Sequence, residues 1–169
     1  MPPTDGFYIV RPIYNLSGMG VGARRQWLTT ADLSQVEPGF FWCEWFDGPQ
    51  HSVTYAWKGH GGWEPVSSWE GRVSPCDLTR FHWWHRSDFA LKPPSIVNEL
   101  AEVGVINIEW IGSRIIEVHL RPSPDPDVGD HLVPVWADEV VPEGMIPSFD
   151  NADGFLAVPR LGFIQRASA

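Results

Sequence analysis

VINIEWIGSRIIEVHLR, residues Val105–Arg121, reads as two strands joined at Gly112-Ser113. Ile106, Ile108 and Trp110 alternate with Asn107 and Glu109. Past the turn, Ile116, Val118 and Leu120 alternate with Glu117, His119 and Arg121. Period-two alternation marks strands with one face buried. A two-residue turn would set Glu117 opposite Ile108 and mix the faces. A three-residue turn over Gly112, Ser113 and Arg114 sets Glu109 opposite Glu117 and Asn107 opposite His119. Because a one-residue slip flips every side chain, the consistent pairing is expected. One face is then apolar, and the other gathers Asn107, Glu109, Glu117, His119 and Arg121. That face is either the solvated side of an antiparallel sheet or a site. Two carboxylates and an imidazole suit a hard divalent cation, and a neighbouring Arg suits phosphate.

Composition narrows the classes around this hairpin. The 169 residues suffice for one domain with its own core, and neither repeats nor a low-complexity linker divide them. Net charge is −9, with Lys58 and Lys92 the only lysines, which argues against broad nucleic-acid binding. It leaves room for a small anion held by a few Arg. No apolar run approaches a membrane span, and MPPTDGFYIV has no signal-peptide pattern, so a cytoplasmic setting is expected. Cys43 and Cys76 are then expected as thiols. A zinc site from Cys76, His82 and His85 lacks a paired CxxC and a fourth ligand. Ten Trp read either as large core fillers or as a stacking surface for sugars or partners.

Upstream, Phe7–Val10 is a short apolar strand running into Arg11-Pro12. Gly18, Gly20 and Gly22 follow at alternate positions, a spacing that lets backbone N–H groups approach a ligand. Ala23–Leu28 reads as a second strand, making a lid-like hairpin. Thr29–Val36 is expected as a short helix with Thr30 as N-cap and Asp32 in its first turn. Phe40–Phe46 is a dense apolar strand ending at Asp47-Gly48. His51–Trp57, Trp63–Trp69 and Thr79–Arg86 are further strands, with a glycine-rich turn at Lys58–Gly62. Pro93-Pro94-Ser95 opens the clearest helix, capped by Ser95, striped by Val97, Leu100, Ala101 and Val103, and stopped by Gly104. Beyond the hairpin come a rigid polar turn carrying Asp125 and Asp127, then strands at Leu132–Ala137, Phe155–Val158 and Leu161–Gln165.

Glu117-x-His119-x-Arg121 resembles the Glu-x-Asn-x-Arg strand of ATP-grasp domains, where Glu and Asn hold magnesium and Arg touches phosphate. His119 stands where that family has Asn. Ile9-Val10-Arg11-Pro12 is similar to the family's Val-Lys-Pro strand, with Arg11 in the place of Lys, and the glycine loop follows. Trp42–Gly48 resembles the interlobe hinge whose backbone and apolar side chains hold adenine. The resemblance spans about Phe7 to Arg121 and is nearest in kind to the short members found in tailed phages.

The resemblance implies an α+β fold. It is mostly antiparallel sheet with one or two short helices, an ATP-grasp-like core lacking the preceding α/β domain. The single domain, 1–169, would carry the glycine-loop hairpin and hinge strand in 1–50 and a β-rich lobe in 51–169. It implies ATP and Mg2+ as cofactors and a carboxylate substrate joined to an amine or thiol through an acyl phosphate. Glu109, Glu117 and His119 would hold the metal. Arg11 and Arg121 would neutralise phosphates, and Gly18, Gly20 and Gly22 would cover them. Glu44, Trp45 and Phe46 would line the base. The alternative is a non-catalytic binding or assembly module derived from that fold, with a protein partner or a second copy.

Overall fold

A computed structural model describes residues 2–14, 20–32, 34–74, 77–143, 145, 147 and 158–165. Among the described residues ten strands form two sheets, and their pairings are all antiparallel. Strands β1 (Gly6–Pro12), β2 (Arg24–Leu28) and β3 (Phe40–Glu44) make a small sheet in the order β2-β1-β3. The large sheet contains β4 (Gln50–Trp57), β5 (Trp63–Val73), β6 (Phe81–Arg86), β7 (Val105–Ile111), β8 (Arg114–His119), β9 (His131–Trp136) and β10 (Arg160–Gln165). Its order is β10-β9-β6-β5-β4-β7-β8.

The polar-face register of the hairpin is the expected one: Glu109 opposes Glu117 and Asn107 opposes His119. It is reached by a different route. Ile111 pairs with Arg114 across a two-residue turn, and Gly112 takes a φ of 57°. The register then shifts between Trp110 and Glu109, so that Ile115 and Glu117 are the paired residues and Ile116 is extra. A two-residue turn matches the twist of the strands, and the bulge restores the alternation that such a turn alone would break.

The apolar face of β4 and β7 is the main core. Val53, Tyr55, Ile106 and Ile108 are fully buried, and Trp110 and Trp63 nearly so. The segment from Phe89 to Val103 covers them. The Tyr55 hydroxyl donates to the Leu91 carbonyl at 2.7 Å, and Trp63 Nε1 donates to the Val97 carbonyl at 3.1 Å. The helix expected here is present as a 3-10 helix, Ser95–Val103. Val97 and Leu100 pack inward at the three-residue repeat that a 3-10 helix aligns, whereas Val103 is exposed. Pro94, not Ser95, occupies the N-cap, and Gly104 stops the helix as expected.

Thr29–Val36 is not helical in its described residues. Local side-chain bonds compete with the helix there. Gln35 Oε1 accepts from the Thr29 N–H, the Asp32 carboxylate accepts from the Ser34 N–H, and Asp5 accepts from the Thr30 N–H. The Phe40–Phe46 strand ends at Glu44, and β3 is a half-exposed sheet edge rather than a central strand. Of the expected terminal strands, Leu161–Gln165 lies in β10, whereas 155–157 fall outside the described residues. Trp63, Trp69, Trp84, Trp110 and Trp136 are all buried, as core fillers would be, and Trp27 stands exposed.

Candidate functional site: an acidic hairpin face meeting the glycine-loop strand

Glu109 on β7 and Glu117 and His119 on β8 place one ligand atom each within 4.8 Å of one another, all half-buried. Two carboxylates directly opposite one another repel. The surrounding groups offset this. Gln50 Nε2, from β4, donates to Glu109 Oε2 at 2.9 Å. His119 Nε2 stands 3.6 Å from Glu109 and 3.9 Å from Glu117. Arg11 Nη2 lies 3.9 Å from Glu117 Oε1. Beneath the cluster, Asn107 is buried and donates from Nδ2 to Ser52 Oγ at 2.9 Å, fixing the centre of this face.

The Arg11 contact joins the two sheets. Strand β1 begins the glycine-loop hairpin, and β8 ends the acidic one, so two motifs far apart in sequence meet here. A second ion pair, Arg114 to Glu44 at 3.9 Å, ties the same hairpin to β3. The donor set fits a divalent cation. Ligands on an octahedral ion with ~2.1 Å bonds sit about 3–4 Å apart, so side-chain rotations suffice to close the cluster. The imidazole tilts preference from magnesium towards softer divalent ions such as manganese.

The other expected residues fall as follows. Arg121 is exposed, bonds the Pro122 carbonyl at 3.0 Å, and is near enough to act on His119. Gly20 and Gly22 follow β1 with positive φ values of 66° and 83°, as a tight loop needs. Gly18 and Cys76 lie outside the described residues. Glu44, Trp45 and Phe46 sit together at the end of β3. Their aromatic faces are taken by cations, Arg25 over Trp45 at 5.0 Å and Arg114 over Phe46 at 5.1 Å. His82 and His85 are three apart on β6 and so point to opposite faces. Asp125 and Asp127 are structural. Asp125 pairs with Arg160 at 2.9 Å, and Asp127 accepts from Ser67, Trp69 and Arg86. Gln50 gave no signal in the sequence. It sits at a strand end, and only its pairing with β7 brings it to Glu109.

The geometry sets the direction in which two histidines titrate. Contact with the Glu109 carboxylate raises the His119 pKa above 6.5 against the pull of burial, with Glu117 adding to the rise and Arg121 opposing it. The folded protein therefore holds this proton more tightly than the unfolded chain. Its stabilising contribution is complete below pH 6.5 and disappears as pH rises through the raised value. His51 has the opposite sign. Burial against Phe89 lowers its pKa despite Glu70, so its contribution is complete above pH 6.5 and is lost as pH falls from there through the lowered value. His119→Gln is expected to flatten the loss of stability on the alkaline side only, read from urea midpoints across about pH 5 to 8. A profile parallel to wild type above pH 6.5 would count against the cluster.

No family model matches the chain, and no curated protein is detectably similar to it. Among the described residues no helix is long and apolar enough to cross a membrane.

Proposed function

We propose that the protein binds a magnesium–nucleotide complex where the glycine-loop hairpin meets the acidic hairpin, and that it acts as an ATP-grasp-like carboxylate ligase. The observation that carries this reading is the 3.9 Å approach of Arg11 to Glu117. It sets the Arg that the resemblance assigns to phosphate beside the carboxylate that it assigns to the metal. Glu117 and Glu109 would hold the cation through their hard oxygens, with His119 as a third ligand weaker for magnesium than for manganese. Arg11 and Arg121 neutralise phosphate charge, and the loop through Gly20 and Gly22 lies on the strand hairpin that carries Arg11. ATP would supply the γ-phosphoryl group to the carboxylate, leaving as ADP, with magnesium neutralising its phosphates, and an amine or thiol would then displace phosphate from the acyl phosphate. The chain itself contributes positioning and electrostatics and needs no nucleophile.

A second reading, a non-catalytic binding or assembly module, is favoured by one observation. Arg25 and Arg114 cover the aromatic faces that the resemblance assigns to adenine. Calorimetric titration with a non-hydrolysable ATP analogue, with and without magnesium, separates the two. The ligase reading expects magnesium-dependent binding that Glu117→Ala weakens at least about a hundredfold, since a cation's principal carboxylate is gone. No heat at millimolar nucleotide, or binding indifferent to magnesium and to Glu117→Ala, would overturn it.

A further inference from the structure

A cavity on the other side of the large sheet is not used by this reading. It lies between the glycine-rich turn that follows β4 and the segment that leads into the 3-10 helix. Trp57, Trp63, His60, Lys92 and Asn98 line it, together with the glycines of the turn. Trp57 follows Val53 and Tyr55 on the core side of β4, so it faces away from Glu109. Five residues of strand separate it from Ser52, the residue paired with Glu109, about 16 Å at strand rise. The two places are therefore independent.

The aromatic wall of this cavity is built into the core, and its polar edge is exposed. Trp63 is buried, and its indole N–H is committed to the Val97 carbonyl. Trp57 packs edge-on against it, with ring centroids 5.3 Å apart and an interplanar angle of 65°. One flat indole is thus anchored while the other remains partly open. Lys92, one of two lysines in a chain of net charge −9, also lines the cavity. Among the described residues no ion pair reaches Lys92, and no carboxylate lines the cavity. Asn98, also in the lining, brings an amide that can donate and accept. The glycine turn is open at two of its three glycines: a Cβ at Gly59 or Gly62 would meet nothing within 4 Å, whereas one at Gly61 would stand 3.5 Å from Glu64 Oε1, the acidic edge of the turn.

We infer that this cavity is a binding site for a small planar organic anion, its ring against Trp57 and its carboxylate or phosphate on Lys92. An ammonium without a partner in an acidic protein favours an anion, and an indole face favours a flat ring. Convergent polar groups in an aromatic-walled cleft are the usual form of a small-molecule site. The ligand carries one or two rings, because a single half-buried indole, Trp57, is the flat face still partly open to it.

The test is calorimetry without magnesium, using benzoate and 5′-AMP as probes and benzyl alcohol and adenosine as their neutral counterparts. Lys92 is exposed, so Lys92→Met leaves the fold intact. The expected result is binding of one or both anions and none of the neutral compounds, weakened about tenfold or more by Lys92→Met and by Trp57→Leu. Benzoate alone assigns a carboxylate ligand and AMP alone a phosphate ligand. Either is retained in Glu117→Ala, which keeps this outcome distinct from the fate of the ligase reading. Absence of binding of both anions at about 5 mM, equal binding of the neutral compounds, indifference to Lys92→Met, or loss in Glu117→Ala would each overturn the site.

Discussion

Trp110→Ala is expected to remove about 3–5 kcal/mol of stability, a large share of the roughly 5–15 kcal/mol that holds a domain together. Trp110 is 2% exposed and lies on β7 directly opposite His51 of β4. It meets Phe89 edge-on at 6.4 Å, in the cluster formed with Tyr55, Ile106 and Ile108. It also stands at the bulge that sets the register of the acidic face. Truncation therefore opens a cavity in the main core and loosens the hairpin above it. Neighbouring strands are pinned on both sides by backbone pairing, so the cavity cannot collapse fully. Urea denaturation reads the effect as a lower midpoint with little change in slope. Trp27→Ala is the control. Trp27 is 53% exposed, and its loss is expected to cost less than about 1 kcal/mol. Comparable losses for both would mean that the apolar face of the hairpin is not where the core lies.

Gly71→Val is expected to destabilise by about 2–3 kcal/mol, although valine ordinarily favours a strand. Gly71 on β5 pairs with Trp84 on β6, and the Trp84 ring lies flat over it. A Cβ at this position would stand 2.6 Å from the ring, well inside van der Waals contact. The indole has little room to withdraw. Phe81 stacks on it at 4.3 Å, and Trp69, Leu132 and Phe163 close the cluster around it. A second substitution isolates the cause. Trp84→Leu made in the Gly71→Val background should restore part of the loss, giving a coupling term that independent sites would not show. Near-UV circular dichroism, which reports packed indoles, should weaken in Gly71→Val alone. A stabilised Gly71→Val, or additive effects in the double variant, would contradict the stacking of Trp84 on Gly71.

The hairpin at 105–121 shows how far sequence alone reaches. Alternation of apolar and polar residues is a property of each strand by itself, and face consistency then selects one pairing. Glu109 opposite Glu117 and Asn107 opposite His119 follow from that argument and stand in the structure. Most strands, the stop at Gly104 and the lone acidic-imidazole cluster among the described residues were legible for the same reason. Their signals are local: strand period, turn chemistry and residue type.

Tertiary structure decided the rest. Thr29–Val36 has helical spacing, but Asp5, Gln35 and Asp32 capture the backbone groups a helix would need. Sequence favoured a three-residue turn at Gly112, and the sheet chose a two-residue turn plus a bulge to the same end. That Gly71 lies under an indole, and that the cavity beside Trp57 exists at all, depends on how separate strands are stacked. The approach of Arg11 to Glu117 is the clearest case. Each residue announces its charge in its own segment, but no spacing encodes their distance. That distance is fixed only where the two sheets meet, and an ion pair of this kind contributes too little to choose that meeting by itself.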